Sequence, residues 1–372
     1  MTTRPVPGFF AVVPAGGAGT RLWPLSRAGA PKFLHDLTGA GRTLLQGTVD
    51  RLEPLAGAGG VVLVTGEQHV DAARAQLPGL GDDAVLAEPS PRDSMAAIGL
   101  AAAVLERRHG DVVVGSFAAD QVVSGASSFD AAVREAVAAA RAGYVATIGI
   151  AASRPSTAFG YVRSGDPLGV DGAPSALHAR GFTEKPDAAT ARTYVASGEY
   201  RWNAGIFVAR SSVLLGHLAR LRPALHDGLR TVAEAWDTPR RAEVVAEVWP
   251  GLEKIAIDHA VAEPVAAEGG VAVVPGTFGW DDVGDFNSLA ALLPSDDDGG
   301  SKVLGDPGDV VRVQSAGSVV VPHGDRVVAL LGIDDVVVVD TPDALLVTTR
   351  ARAQQVKDMV DAMRVHGRED VL

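Results

Sequence analysis

The chain has 372 residues, 47% of them hydrophobic and 21% charged, with a formal net charge of −12. That is enough apolar material for a large core and predicts one big domain with a smaller one, and the acid excess argues against a nucleic-acid partner. The lack of cysteine excludes disulfides, thiolate metal sites and cysteine nucleophiles. The histidines show no tight metal-ligand spacing, which argues against zinc, and no Gly-x-Ser-x-Gly elbow occurs. The uncharged stretch from Pro5 to Thr20 is broken by Pro and Gly and is too short to span a bilayer or to serve as a signal-peptide core. A cytoplasmic protein with no membrane partner is expected.

The first apolar run, Phe9–Val13, predicts a buried strand. It opens into "PAGGAGTRLWPLSRAGAPKF", where glycines let the backbone approach a ligand and Arg21 and Lys32 add positive charge. A phosphate chain fits such a loop. It is neither a Walker A loop, because Thr20-Arg21 follows Gly19, nor a dinucleotide fingerprint, because Leu22 stands where the third glycine belongs. The plainer alternative is a tight turn with two solvated cations.

Further strands are expected at Val61–Thr65, Ala84–Ala87, Val112–Val114 and Val145–Ile150. Helices are expected between them at Leu44–Leu52, Gln68–Leu77, Asp93–Arg108 and Phe129–Arg141. This alternation predicts an α/β fold with a mixed, mostly parallel sheet covered on both faces. Beyond Ile150 the pattern loosens into strands in "AFGYVRSG", "ALHARGFTEKP" and "RWNAGIFVAR", with a helix at Ala188–Ser197. Helical stretches follow at Ser212–Arg220, Ala242–Glu247 and Ile257–Glu263, then a strand at Val271–Val274. The acidic, glycine-bearing segment 294–301 reads as a linker. It separates a large domain, 1–293, from a small β module, 302–372, with short Val-rich strands and a final helix at Ala351–Met363.

Several polar clusters fall after strands, where open α/β sheets bind ligands. They are Glu88-Pro89 with Arg92 and Asp93, Asp120, Glu184-Lys185, Asn203 and Asp281-Asp282. Each has a structural alternative. Glu88 and Arg92 could pair, as could Glu184 and Lys185. Asn203 could satisfy a bend, and Asp281 and Asp282 could cap the next helix. As a set they combine cations for phosphates, two acids for a divalent metal, and amide and carboxylate groups for sugar hydroxyls.

In order and spacing, "GGAGTRLWPLSR", "PKF", "EPSPRDSMAA", "FAADQ", "FGYV", "FTEKP", "WNAGIF" and "WDDVG" resemble the mannose-1-phosphate guanylyltransferases along nearly the whole chain. The Val-rich C-terminal part, with "VVVVDTPDALLV", resembles that family's C-terminal region. The resemblance implies a Rossmann-like nucleotidyltransferase domain followed by a β-helix-like module ending in a helix. It also implies Mg2+-dependent transfer of GMP from GTP to mannose 1-phosphate, giving GDP-mannose and pyrophosphate. Gly16, Gly17 and Gly19 would shape the phosphate cradle, Arg21 would pair with the departing phosphates, and Lys32 would lie on the triphosphate side. Glu88, beside Pro89, would read the base. Asp120 and Asp282 would hold Mg2+. Gly160, Glu184 and Asn203 would border the sugar, and Lys185 would bind its phosphate.

The sequence departs from the family pattern in three places. Phe117-Ala118-Ala119-Asp120-Gln121 replaces Leu-Pro-Ser-Asp-His, Pro31-Lys32-Phe33 lacks the usual Gln, and Pro91 stands where glycine is common. One activity is expected, without the isomerase domain of some relatives, in a homo-oligomer, with a dimer favoured. The alternatives are another pair, such as UTP with glucose 1-phosphate, or a non-catalytic nucleotide-sugar-binding relative.

Overall fold

The computed structural model describes residues 4–17, 19–295 and 299–372. The expected linker 294–301 thus falls partly on residues 296–298, outside the described set. Strands β1 (Phe9–Ala15), β2 (Val61–Gly66), β3 (Val85–Glu88), β4 (Val113–Ser116), β5 (Val122–Ser124) and β6 (Val145–Ala151) come first, interleaved with helices α1 (Leu44–Ala56), α2 (Val70–Gln76), α3 (Asp93–His109) and α4 (Ala126–Arg141). Next come β7 (Tyr161–Pro167), β8 (Leu177–Thr183), α5 (Ala188–Ser197), β9 (Tyr200–Arg210), α6 (Ser211–Leu221), α7 (Pro223–Ala235), α8 (Arg241–Val248), α9 (Glu263–Ala267), β10 (Val271–Gly276), β11 (Gly279–Asp281) and α10 (Phe286–Leu292).

The main sheet runs β3-β2-β1-β4-β9-β6-β10-β8-β7. β3, β2, β1, β4, β6, β10 and β7 share one direction, and β9 and β8 oppose them. The expected mostly parallel, mixed sheet is present. Its two faces follow the period-two alternation of a strand. Phe9, Ala11, Val13 and Ala15 of β1 enter one core with α1 and α4. Val12 enters the other with α3, α6 and α7. Helix α3 packs closely where its buried residues are small, at Ala96, Ala97, Gly99, Ala101, Ala102 and Ala103. A methyl group on Gly99 would overlap Leu229 Cδ1 at 2.7 Å.

Most expected elements are present with small shifts at their ends. Helix α7 was not anticipated, although Pro223 starts it and Leu225, Leu229, Val232 and Ala233 make a helical stripe. The stretch Ile257–Glu263 is not one regular helix. A π turn, Asp258–Ala262, runs into α9. The helix after "WDDVGD" is capped by Asp285, whose Oδ1 accepts from Asn287 N and Ser288 N, and not by Asp281 or Asp282.

The C-terminal part contains β12 (Lys302–Val303), β13 (Val310–Val313), β14 (Val319–Pro322), β15 (Val328–Leu331), β16 (Val336–Asp340), β17 (Leu345–Thr349) and α11 (Val356–Val365). The final helix is preceded by a 3-10 segment, Arg350–Gln355. Parallel β12-β14-β16 carries antiparallel β17, and β13 pairs in parallel with β15. Val319 and Val321 face a core shared with Leu22, Trp23, Leu25 and Phe286. Val320 and Val338 face a smaller core with Val310 and Leu330. The module therefore packs on the segment that follows the glycine loop. Trp23 Nε1 donates to Val371 O at 2.7 Å, and Arg27 makes two 2.6 Å hydrogen bonds to the Asp343 carboxylate.

Candidate active site

Around β1 the strand order reverses, β2 lying on one side and β4 on the other. The crevice at such a switch point is where open α/β sheets bind ligands. The loop after β1 carries the glycines, and the loop after β4 carries Asp120. Gly16 and Gly17 have open space where a side chain would project, so their backbone faces the crevice. Gly19 is left-handed (φ 57) and closely overlaid: a Cβ there would meet Ser26 Oγ at 2.8 Å and Lys32 Cβ at 3.2 Å. Gly16 and Gly17 line a cleft of about 410 Å³ with Glu88, Pro89 and Ser90. A contiguous 370 Å³ space reaches Asp93, Asp120 and Lys254.

Glu88 ends β3 in this cleft. Its Oε1 is buried without a hydrogen-bond partner, and burial pushes its carboxyl up to about 7. The alternative pairing with Arg92 is absent, because Arg92 Nη2 donates to Pro250 O at 2.6 Å. A buried acceptor without a donor is costly, and a ligand carrying N–H groups would supply one.

Asp120 and Asp282 are brought together by an unanticipated two-stranded ribbon. β5 follows Asp120, β11 precedes Asp282, and they pair with Asp281 opposite Val122. Lys32 lies between the acids. Its Nζ is 2.8 Å from Asp120 Oδ2 and donates to Asp282 O at 2.6 Å. The Asp282 carboxyl is raised by burial and then lowered by Lys32, while Asp281 and Asp120 raise it further. A cation in the midst of acids marks where positive charge is stabilised. Among the described residues no cluster of three or more metal-ligating side chains occurs. Two carboxylates still suit Mg2+, which takes few protein ligands beside phosphate oxygens and water. Arg21 reaches the same place from the other side and would lie 3.4 Å from a Cβ on Gly284.

The remaining predicted residues gather just before β7 (Gly160), just after β8 (Glu184 and Lys185) and on β9 (Asn203). A side chain on Gly160 would overlap Glu184 Oε2, and Gly160 O accepts from Asn203 N at 2.8 Å. Asn203 is held by several partners: its Oδ1 accepts from Thr147 Oγ1 at 2.8 Å and Gly205 N at 3.1 Å. Its Nδ2 donates to Asp258 Oδ1 at 3.0 Å. Lys185 Nζ pairs with Glu184 Oε1 at 2.8 Å, the lysine exposed and the glutamate largely buried. Burial lowers the Lys185 ammonium, but Glu184 and then Asp258 and Asp93 raise it overall.

Asp258 was missed. Burial and then the Glu184 charge push its carboxyl up to about 7. The only sequence signal was an acid within the apolar run "IAIDHAVA". Gln121, where the family pattern has His, donates from Nε2 to Ala204 O at 2.8 Å and so ties the Asp120 loop to β9.

Residues 10–298 match the family model described as nucleotidyl transferase. Residues 308–363 match the MannoseP isomerase/GMP-like beta-helix domain. The chain is 36% identical over 365 residues to the xanthan biosynthesis protein XanB of Xanthomonas campestris pv. campestris, covering 96% of this chain and 74% of that one. It is 35% identical to the mannose-1-phosphate guanylyltransferase of Escherichia coli K12, covering 97% and 74%. A Thermus thermophilus protein whose crystal structure is described as that of a mannose-1-phosphate geranyltransferase superposes with a TM-score of 0.83 at 33% identity, over 96% of this chain and 99% of that one. No helix among the described residues is long and apolar enough to cross a membrane.

Proposed function

The chain belongs to the mannose-1-phosphate guanylyltransferase family of nucleotidyltransferases, and from that premise we propose that it transfers GMP from GTP to mannose 1-phosphate, releasing pyrophosphate. The observation that carries the base assignment is Glu88, with its unpartnered buried oxygen in the cleft beside Gly16 and Gly17. As a carboxylate it accepts from the N1–H and exocyclic amine of guanine. Uracil and thymine present only one such N–H, and adenine presents an acceptor at N1.

The sugar-phosphate oxygen attacks the α-phosphorus in line, and pyrophosphate leaves on the opposite side. Alignment and charge neutralisation do most of the work, so no protein nucleophile is required. The glycine backbone cradles the phosphates, Arg21 takes the departing β- and γ-phosphates, and Lys32 lies on the triphosphate side. Lys185 leaves Glu184 to hold the phosphate of mannose 1-phosphate. Glu184, Asn203 and Gly160 border the mannose. Asp120 and Asp282 would hold Mg2+, which supplies Lewis-acid neutralisation of the phosphate oxygens. The test is pyrophosphate release with four NTPs against several sugar 1-phosphates. GTP with mannose 1-phosphate should turn over best; turnover with UTP or dTTP alone would refute the assignment.

A further inference from the structure

Arg21 is held from outside the catalytic domain. Its Nη1 donates to Gln354 Oε1 at 3.2 Å, and Gln354 belongs to the 3-10 segment Arg350–Gln355 that follows the module's last strand. Gln354 Nε2 donates in turn to Asp285 Oδ2, the carboxylate that caps α10. The amide has one sensible orientation. A guanidinium only donates and a carboxylate only accepts, so the oxygen faces Arg21 and the nitrogen faces Asp285.

The segment carrying Gln354 is itself fixed. Arg350 O accepts from Asn287 Nδ2 at 2.8 Å, and Arg350 Nε donates to Asn287 Oδ1 at 3.1 Å. Ala353 and Val356 are buried in the core shared with Leu22 and Trp23, directly after Arg21. Arg21, Asp282, Asp285 and Gln354 all line one cleft of about 320 Å³.

A neutral amide at this point differs from an ion pair in what it leaves available. A carboxylate touching Arg21 would neutralise it and repel an incoming phosphate. The amide takes one N–H, fixes the guanidinium plane, and leaves the charge and the remaining donors for an anion. We infer that Gln354 is a positioning residue for Arg21, so that the C-terminal module supplies part of the triphosphate site. This rests on the placement of Arg21 proposed above.

The test measures binding of GTP and of GMP to the full chain by calorimetry in the presence of Mg2+. It compares wild type, Gln354→Met, Gln354→Glu, Arg21→Ala and the Arg21→Ala/Gln354→Met double variant, each checked for an unchanged melting temperature. Gln354→Met removes both hydrogen bonds at nearly constant length. It should weaken GTP about five- to tenfold, leave GMP unchanged because GMP lacks the β- and γ-phosphates, and add nothing in the Arg21→Ala background. Gln354→Glu should also weaken GTP, because its carboxylate pairs with Arg21. No GTP loss in either Gln354 variant, an equal loss for GMP, or a full loss persisting without Arg21 would overturn the inference. A different result, undiminished GTP binding by Arg21→Ala, would overturn the phosphate placement and the inference with it.

Discussion

The two ends of the cleft are built on different principles. At the proposed phosphate end the cations are engaged with protein groups, Lys32 with Asp120 and the Asp282 carbonyl and Arg21 with Gln354. The parts come from distant elements: the loops after β1 and β4, the β5–β11 ribbon and the C-terminal module. At the proposed sugar end the groups come mostly from neighbouring strands and hold one another through Asn203. The first arrangement can exchange partners when charge arrives. The second is largely preset through Asn203, with the Lys185–Glu184 pair as the contact that would open for a sugar phosphate in the proposed reaction. Substitutions should therefore act on rate and on use of GTP at the first end, and on KM for mannose 1-phosphate at the second.

The largest effect is expected at the acids. Asp120→Asn and Asp282→Asn should each reduce turnover by at least about 100-fold, since each removes charge-stabilising power from the reacting phosphates. Circular dichroism should show both variants folded. Near-normal rates at saturating Mg2+ in either variant would remove that residue from the metal site.

The next test divides the ends directly. Lys185→Ala should raise KM for mannose 1-phosphate by about 10- to 100-fold and affect GTP much less, the size expected for a lost charge-assisted hydrogen bond. Arg21→Ala should do the reverse. Steady-state kinetics varying each substrate in turn separates them, and a Lys185→Ala defect confined to GTP would exchange the two assignments.

How much of this was legible in the sequence differs between the same two ends. β1, β6 and α3 read as continuous apolar or small-residue runs and α5 carries its Asp187 cap, and the phosphate reading of the glycine loop, Arg21 and Lys32 rests on residue type alone. β5 and β11 do not, because three residues are too few to show alternation, yet their pairing is what joins Asp120 to Asp282. Gln354 gave no local signal: its partner lies 333 residues away. Asp258 was hidden because the groups that define it, Asn203 and Glu184, lie more than fifty residues away along the chain. Helix α7, by contrast, was readable from Pro223 and its apolar spacing.

Glu88 gives a pH-dependent test of intermediate size. Burial pushes its carboxyl up to about 7, and only the ionised form presents two acceptors to guanine. KM for GTP should therefore rise as pH falls from about 8 to about 6, through that value, while KM for mannose 1-phosphate follows a different profile. Glu88→Gln should raise KM for GTP by about tenfold in the alkaline range and remove the carboxyl's contribution to that pH dependence. An unchanged GTP profile in the variant would take Glu88 out of base recognition.

The smallest effect is expected at Asp258, and it separates recognition from stability. Asp258→Asn keeps an acceptor for Asn203 Nδ2, so KM for mannose 1-phosphate should change only about two- to fivefold, as for one modified hydrogen bond, with GTP unaffected. Stability should respond more clearly. Burial, and then Glu184, raise the folded carboxyl from 3.8 to about 7, against the opposing pull of Lys185 and His259. Between those values the folded chain keeps a proton that the unfolded chain has lost, so this group's contribution to stability falls as pH rises, and it stays low above about 7. The amide has no such slope. The melting temperature of Asp258→Asn, relative to wild type, should climb between about pH 5 and about pH 8. A constant difference across that range would mean that Asp258 is ionised throughout, and that the sugar end holds its carboxylates by compensating charge and not by protonation.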